Sequence, residues 1–349
     1  MNDEYTPIGD YIRLVDERNA DLKTDILLGI SINKCFIPSV ANVIGTDLTK
    51  YKVIRKNQFA CSLMQVSRDE KIPIDCLADY EIAMISPAYY VFDVVDTDRL
   101  MPEYLSMWFK RSEFDREASF LGVGGVRGSM TWTDFCGMKL PVPSIDKQKT
   151  VVKAYQTITN RIELKRKIND NLDAAVGTLF VEMFLGTDSK IGKLSDLMDF
   201  KNGKSRPDES GKVPVYGGNG VISYTNAGNA TNAVVIGRVG AYCGSIYLEL
   251  GDCWISDNAI YAKSKICNDE YFDYFLLKNL SIGEHHIGTG QPLLTQSILN
   301  AIEAPIPNEK DIIVFNSTAK PLYDMTVKNL SEIDALSVMQ SVLLTNLAI

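Results

Sequence analysis

Leu140-Pro141-Val142-Pro143 decides the fold, because the chain says it twice: Ala304-Pro305-Ile306-Pro307 repeats the pattern. At each place a strand- and turn-rich stretch stops and a long helical pattern begins. The two helical patterns share one heptad frame. Val151, Tyr155, Ile158, Ile162, Leu172, Val176, Leu179 and Met183 step alternately by four and three around a polar middle. Adding 164 (315 − 151) lands on Phe315, Ala319, Leu322, Thr326, Leu336, Gln340, Leu343 and Leu347. Self-similarity at a fixed offset is the signature of a repeated structural unit. The chain therefore reads as two similar half-molecules, each a globular domain followed by a helix.

Length and composition agree with that division. A single core rarely serves 349 residues, so two domains are expected. Hydrophobic content of 46% and charged content of 23% are ordinary for a folded, water-soluble chain. No apolar run approaches the roughly 20 residues that span a bilayer. The acidic start, Met1-Asn2-Asp3-Glu4-Tyr5, lacks the apolar core of a signal peptide. Seven scattered cysteines fit free thiols in a reducing cytosol, mostly as core filler, so a cytoplasmic location is expected. The formal charge of −8 argues mildly against a nucleic-acid partner, which usually selects a basic surplus.

Residues 1–143 form the first domain and 187–307 the second, with helices over 144–186 and 308–349. In the first, Tyr51–Arg55 and Asn57–Leu63 are expected as strands joined by a tight turn. Tyr80–Ile85 and Tyr90–Val95 are two more, and a helix starts at Pro102 with Tyr104, Leu105, Trp108 and Phe109 on one face. The glycine-rich run Gly122–Gly128 is a loop. The second domain replays this order: Ile191-Gly192 matches Ile8-Gly9, and a strand over 233–237 enters a glycine turn. Strands at 243–250 and 259–262 follow, then a helix from Tyr271 and a loop around Gly288–Gln291. Polar residues interrupt each helical seam, Lys165 and Asn169 in one, Thr326 and Asn329 in the other, and would meet if the helices paired antiparallel, fixing their register. The competing arrangement lays each helix on its own domain. Pro321 should kink or divide the second helix.

Catalytic chemistry is missing from the sequence. Gly203-Lys204-Ser205 ends like a phosphate loop, but Met198 stands where the first glycine belongs. The Asn-Pro-Pro-aromatic and Pro-Cys motifs of DNA methyltransferases do not occur. The adjacent pair His285-His286 lacks helical metal-ligand spacing, so no metal site is expected. A binding or scaffold role follows, not an enzyme.

The duplicated globular-domain, Pro-motif and helix unit, with Leu-Asp-Ala-Ala-Val-Gly-Thr-Leu-Phe at 172–180, resembles the specificity subunit of type I restriction–modification systems over nearly the whole chain. Asn232–Gly240 followed by Trp254–Ala259 is similar to the second recognition core of that family, and Ser86–Phe92 to a variant of the first. The Glu-Gln expected after the Pro motif reads Lys147-Gln148 and Glu309-Lys310.

The resemblance implies an α+β fold. Two strand-rich target-recognition domains are joined by two long spacer helices packed as an antiparallel coiled coil with pseudo-two-fold symmetry. Each domain would read one half of a split double-stranded DNA target. The helices would set the spacer and dock two methyltransferase subunits, with a motor nuclease subunit joining in some systems. S-adenosylmethionine, and ATP with magnesium, would be bound by those partners, with no cofactor in this chain.

Reading base edges needs polar side chains on projecting loops. The candidates are Lys34 beside Asn33, Ser62 with Gln65, Arg127 with Ser129, Lys201, Lys204 and Arg206, Arg238, Tyr242, and Gln291. Each is weighed against a solvated loop, and Arg238 also against an internal pair with a buried carboxylate. Arg161, Lys165, Arg166 and Lys167 suit either DNA backbone contact or helix solubility. A protein–protein adaptor with two ligand-binding domains on a helical ruler is the competing function, favoured by the acidic balance.

Overall fold

A computed structural model describes residues 5–39, 45–64, 66–123, 128–185, 190–266, 270–288 and 290–347. The chain divides into two compact units: residues 1–164 with 333–349, and residues 165–332. Among the described residues no helix is long and apolar enough to cross a membrane.

In the first unit, β1 (Tyr5–Pro7) pairs antiparallel with β10 (Lys139–Pro141), so the Pro motif closes the domain against its own first strand. A four-stranded sheet contains β2 (Ile12–Val15), β9 (Tyr90–Val94), β6 (Phe59–Cys61) and β7 (Ile74–Cys76) in that order. A second contains β4 (Phe36–Pro38), β3 (Leu27–Ile30), β8 (Ile82–Ile85) and β5 (Lys52–Arg55). The short helices are α1 (Val66–Asp69), α2 (Pro102–Phe109), α3 (Ser112–Gly122) and α4 (Trp132–Gly137). Pro102 opens α2, whose Tyr104, Leu105, Trp108 and Phe109 are all buried in the main core, as their spacing requires. The tight turn expected between the strands over 51–63 forms, with Gln58 N–H donating to Arg55 O at 3.0 Å, but the two strands do not pair with each other. β5 and β6 lie in different sheets, because Asn57 takes a left-handed turn (φ 65°) and sends the chain across to the other sheet.

The second unit follows the same plan. Here β11 (Lys190–Lys193) pairs with β18 (Glu303–Ile306). One six-stranded sheet holds β12 (Met198–Asn202), β17 (Ala259–Ser264), β15 (Ala230–Gly237), β16 (Ile246–Ile255), β13 (Val213–Gly217) and β14 (Gly220–Thr225), in that order. The order β12-β17-β15-β16 reproduces β2-β9-β6-β7. The long strands β15 and β16 each do in one piece what the broken pairs β5/β6 and β7/β8 do in the first unit. Tight hydrogen bonds mark equivalent turns: Tyr89 N–H to Ser86 O at 3.1 Å, and Ala259 N–H to Ser256 O at 3.0 Å. The remaining helices are α6 (Leu194–Leu197), α7 (Tyr271–Asn279) and α8 (Gln296–Ala301). Thr131 caps α4 and Thr295 caps α8, again 164 residues apart (295 − 131). The expected match of Ile8 with Ile191 is corrected. Ile8 N–H donates to Met138 O at 2.8 Å and Leu194 N–H to Ile302 O at 2.9 Å, so fully buried Leu194 is the counterpart of Ile8. Ile191 itself is exposed on β11.

The long helices are α5 (Ile145–Phe184) and α9 (Glu309–Asn346), each running from one unit into the other. Within each unit their segments pack antiparallel. In the first, Ile158 and Ile162 meet Ile333, and Gln340 donates to Thr159 Oγ1 at 2.8 Å. In the second, Lys165 donates to Asn329 Oδ1 at 2.8 Å and pairs with Glu332 at 2.9 Å, while Asn329 donates to Asn169 at 2.7 Å. Lys165, Asn169 and Asn329 meet as their spacing required, whereas Thr326 Oγ1 donates within its own helix to Leu322 O at 3.3 Å. Yet the helices also lie on their domains: Val176, Phe180 and Phe184, a stripe four apart, are buried in the core with α7. Pairing and lying on the domain, posed as alternatives by the sequence, both occur.

Pro321 neither ends nor divides α9. It and Ser317, whose carbonyl loses its helical donor, face solvent, while Phe315 and Ala319 hold the buried side. Two buried amides tie the long helices to the domains. Gln148 accepts from Met101 N–H at 2.9 Å and donates to Arg99 O and Pro143 O; Asn316 accepts from Phe272 N–H at 2.9 Å.

The polar seam yields a first prediction. Asn329→Lys sets a second ammonium against Lys165 and is expected to cost about 2 kcal/mol, measured by thermal or urea unfolding. Adding Lys165→Asn should recover most of that loss; simple additivity of the two changes would show that the residues do not interact.

Candidate nucleic-acid interface

At one end of the six-stranded sheet, five loops of the second unit are laced together through their backbones. Lys204 N–H donates to Ile255 O at 2.9 Å and Gly203 N–H to Ala259 O at 3.1 Å. Arg238 N–H donates to Asn258 O at 3.0 Å, and its own carbonyl accepts from Leu294 N–H at 2.9 Å. Gly240 N–H donates to Pro292 O at 3.1 Å, which draws in the loop bearing Gln291. Ser256 N–H donates to Tyr216 O at 2.9 Å, adding the β13–β14 turn. Packing is tight enough to demand glycine. A Cβ at Gly237 would lie 2.2 Å from Tyr242 O, and one at Gly203 would lie 1.9 Å from Ser256 O. Loops held this way form a rigid platform.

Cations populate it. Lys201, on β12 opposite Tyr261, and Lys204 and Arg206 beyond it are exposed. Arg238 is half-buried, and Tyr242 is half-exposed at the end of a turn starting at Gly240. None of the four cations has an ion-pair partner among the described residues, and Arg238 Nε has no hydrogen-bond acceptor. The internal carboxylate pairing weighed for Arg238 is thus absent there. Elsewhere cations are neutralised locally: Arg13 with Asp93 at 2.8 Å, Arg55 with Glu17 at 2.8 Å, Lys56 with Glu81 at 2.5 Å. Glu17, between Arg55 and Lys23, is held down to about 2. The acidic total therefore conceals unneutralised positive charge at one end of this unit, which is what an anionic ligand requires.

In the first unit the equivalent loops follow β6 and precede α4. Met130 N–H donates to Leu63 O at 2.9 Å, the counterpart of Leu294 and Arg238, and brings Ser62 beside Ser129, both half-buried. Buried Leu63 thus stands where the second unit has Arg238. Gln65 and Arg127 lie outside the described residues. Lys34 is corrected: it is not a surface contact. Its ammonium is buried, bonded to Asp115 at 2.7 Å and to the Phe109 carbonyl, 5.4 Å from the Phe114 ring centroid. Burial pulls its pKa down against the opposing pull of Asp115. Cys35 beside it is exposed, unlike the core filler expected of cysteines.

Two side chains at the platform lay beyond the sequence reading. Asn219 is exposed at the two-residue turn joining β13 to β14, and Asn258 at the turn after β16. The signal for Asn219 was Gly218-Asn219 between apolar runs, a hairpin turn by composition.

Toward the other end of β17, buried Glu270 and Asp273 share one site with Lys263, which donates to Glu270 at 2.6 Å. Burial and the neighbouring Glu270 carboxylate raise Asp273 well above the ordinary carboxylate range. Its stabilising contribution is complete below the unfolded carboxylate pKa, about 4, and is lost as pH rises through the raised folded value. Asp273→Asn should therefore equal or exceed the native melting temperature at pH 8, with the difference closing near pH 4. A native-like pH dependence in the variant would count against this.

Residues 187–315 match the family model described as the type I restriction modification DNA specificity domain. No curated protein matches the chain. Among solved structures, the type I restriction-modification S subunit from M. genitalium aligns with a TM-score of 0.63 and 18% identity, covering 99% of this chain and 95% of that one. The HsdS subunit from Thermoanaerobacter tengcongensis aligns at 0.38 and 15% identity, covering 99% and 96%. The match at 0.63 is one of fold. The unit bearing the cationic platform thus matches the type I restriction modification DNA specificity domain, on a chain whose fold is similar to that of a type I S subunit.

Proposed function

We propose that this chain is the DNA-recognition subunit of a type I restriction–modification assembly, each globular unit reading one half of a bipartite duplex target. The observation that carries it is the rigid platform of Lys201, Lys204, Arg206 and Arg238, free of ion pairs among the described residues, in the unit that matches a DNA specificity domain. Arg donates two parallel hydrogen bonds to a guanine edge, and lysines neutralise phosphates. The chain's own work is binding. Two methyltransferase subunits, docked on α5 and α9, would supply S-adenosylmethionine and the chemistry, and a motor subunit would supply ATP-driven cleavage.

Binding to duplex DNA should weaken steeply with salt, by about 0.9 log unit in affinity per log unit of salt for each neutralised phosphate. Salt-insensitive binding, or none to a duplex in the presence of methyltransferase subunits, would return the adaptor reading. The helices as spacer give a further test. A heptad inserted after Lys165 and another after Asn329, positions 164 apart, should lengthen the unread spacer between half-sites in methylome sequencing. An unchanged spacer in a folded, active variant refutes that role.

A further inference from the structure

The two units carry one device that their sequences do not align. In the first, β3 runs parallel to β8 (Leu28 opposite Ile85) and turns back into antiparallel β4. In the second, β13 runs parallel to β16 (Tyr216 opposite Ile255) and turns back into β14. Ile85 and Ile255 each lead directly into the equivalent turns Ser86–Tyr89 and Ser256–Ala259. The two hairpins are therefore the same element, and their tips reach the same end of each unit.

Each tip presents an asparagine. In the second unit the turn is only Gly218-Asn219. A Cβ at Gly237 would lie 2.6 Å from Gly218 O, so the tip packs closely against the strand end that leads to Arg238, with the Asn258 turn beside it. Asn219, the next residue, is exposed. In the first unit the tip is longer, closed by Ser31 N–H to Cys35 O at 3.0 Å and Lys34 N–H to Ser31 O at 3.0 Å. Lys34 adopts a left-handed conformation (φ 59°) and is fixed by its buried pair with Asp115. That anchor leaves the preceding residue, Asn33, exposed at the apex. Neither asparagine has a hydrogen-bond partner among the described residues.

We infer that Asn33 and Asn219 are equivalent base-reading residues, one per unit, each addressing an adenine edge in the major groove. The inference rests on the DNA-recognition reading above. An asparagine amide accepts from adenine N6–H and donates to N7, a pairing no other base edge offers in that geometry. A free amide on a braced tip meets that need with little side-chain ordering left to do.

The test uses the full chain assembled with its methyltransferase subunits, read by methylome sequencing and by duplex titration. Asn33→Ala should relax one A·T position in one half-site only, and Asn219→Ala one A·T position in the other. Each should lower cognate affinity about 10- to 100-fold while non-specific duplex binding and the melting temperature stay unchanged. Unchanged recognition in both variants, with Arg238→Ala altering it, overturns the tips as readers and leaves DNA recognition standing. Relaxation at a G·C position overturns the adenine assignment. If Arg238→Ala is silent as well and duplex binding ignores salt, the DNA reading itself fails.

Discussion

Arg238→Ala is expected to relax recognition in one half-site and to lower affinity for the cognate duplex about 10- to 100-fold, on the order of 1–3 kcal/mol. The backbone of Arg238 is held on both sides, by Asn258 O and by Leu294 N–H, so the substitution removes the guanidinium without releasing the loop. No carboxylate among the described residues loses a partner, so stability should not fall. The salt dependence separates two modes of contact. A base contact relaxes specificity at one position; a phosphate contact weakens all duplexes alike and reduces the salt slope by about one. Since Leu63 occupies the equivalent place in the first unit, only one half-site should respond. Wild-type methylation specificity in the folded variant would remove Arg238 from the interface.

Phe180→Ala carries the largest expected stability cost, about 3–5 kcal/mol. The side chain is fully buried, and its ring centroid lies 5.3 Å from Phe184, 5.7 Å from Phe272 and Phe315, and 6.0 Å from Phe275. Those rings come from both long helices and from α7, so the cavity would loosen α5 and α9 together from the domain they carry. Phe180→Leu, which refills most of the volume, should recover much of the loss. A decrease below about 1 kcal/mol for alanine, by calorimetry or urea titration, would show that the ring cluster collapses to fill the gap.

Phe180 also shows where sequence reasoning stops. The heptad frame picked out Val176, Leu179 and Met183, which is the seam expected of two helices pairing with each other. The structure buries Val176, Phe180 and Phe184 most deeply and leaves Leu179 and Met183 only partly covered. A helix with two partners buries two stripes, and a single periodicity reports one of them. The same limit separated β5 from β6. Both read as strands from their apolar residues, but which sheet each joins depends on the left-handed turn at Asn57 and on partners distant in sequence.

Site residues divided along the same line. Lys34 looked like a loop cation because charge and glycine-poor turns are visible in a sequence, whereas the Asp115 carboxylate that buries it lies 81 residues away (115 − 34). Arg238 was legible as a basic residue entering a glycine turn. That it has no carboxylate partner among the described residues could be seen only once the surrounding loops were in place.

What the sequence determined by itself is the duplication: the Pro motif twice, two helices in one frame 164 residues apart, and the polar seam residues that meet between them. Periodicity and repetition are properties of chain order, and they survive without coordinates. Tertiary structure alone decided which cations are neutralised and which stand free, and which residues crown the equivalent hairpins. Those depend on charges and backbone groups brought together across long sequence separations, where local pattern carries no information.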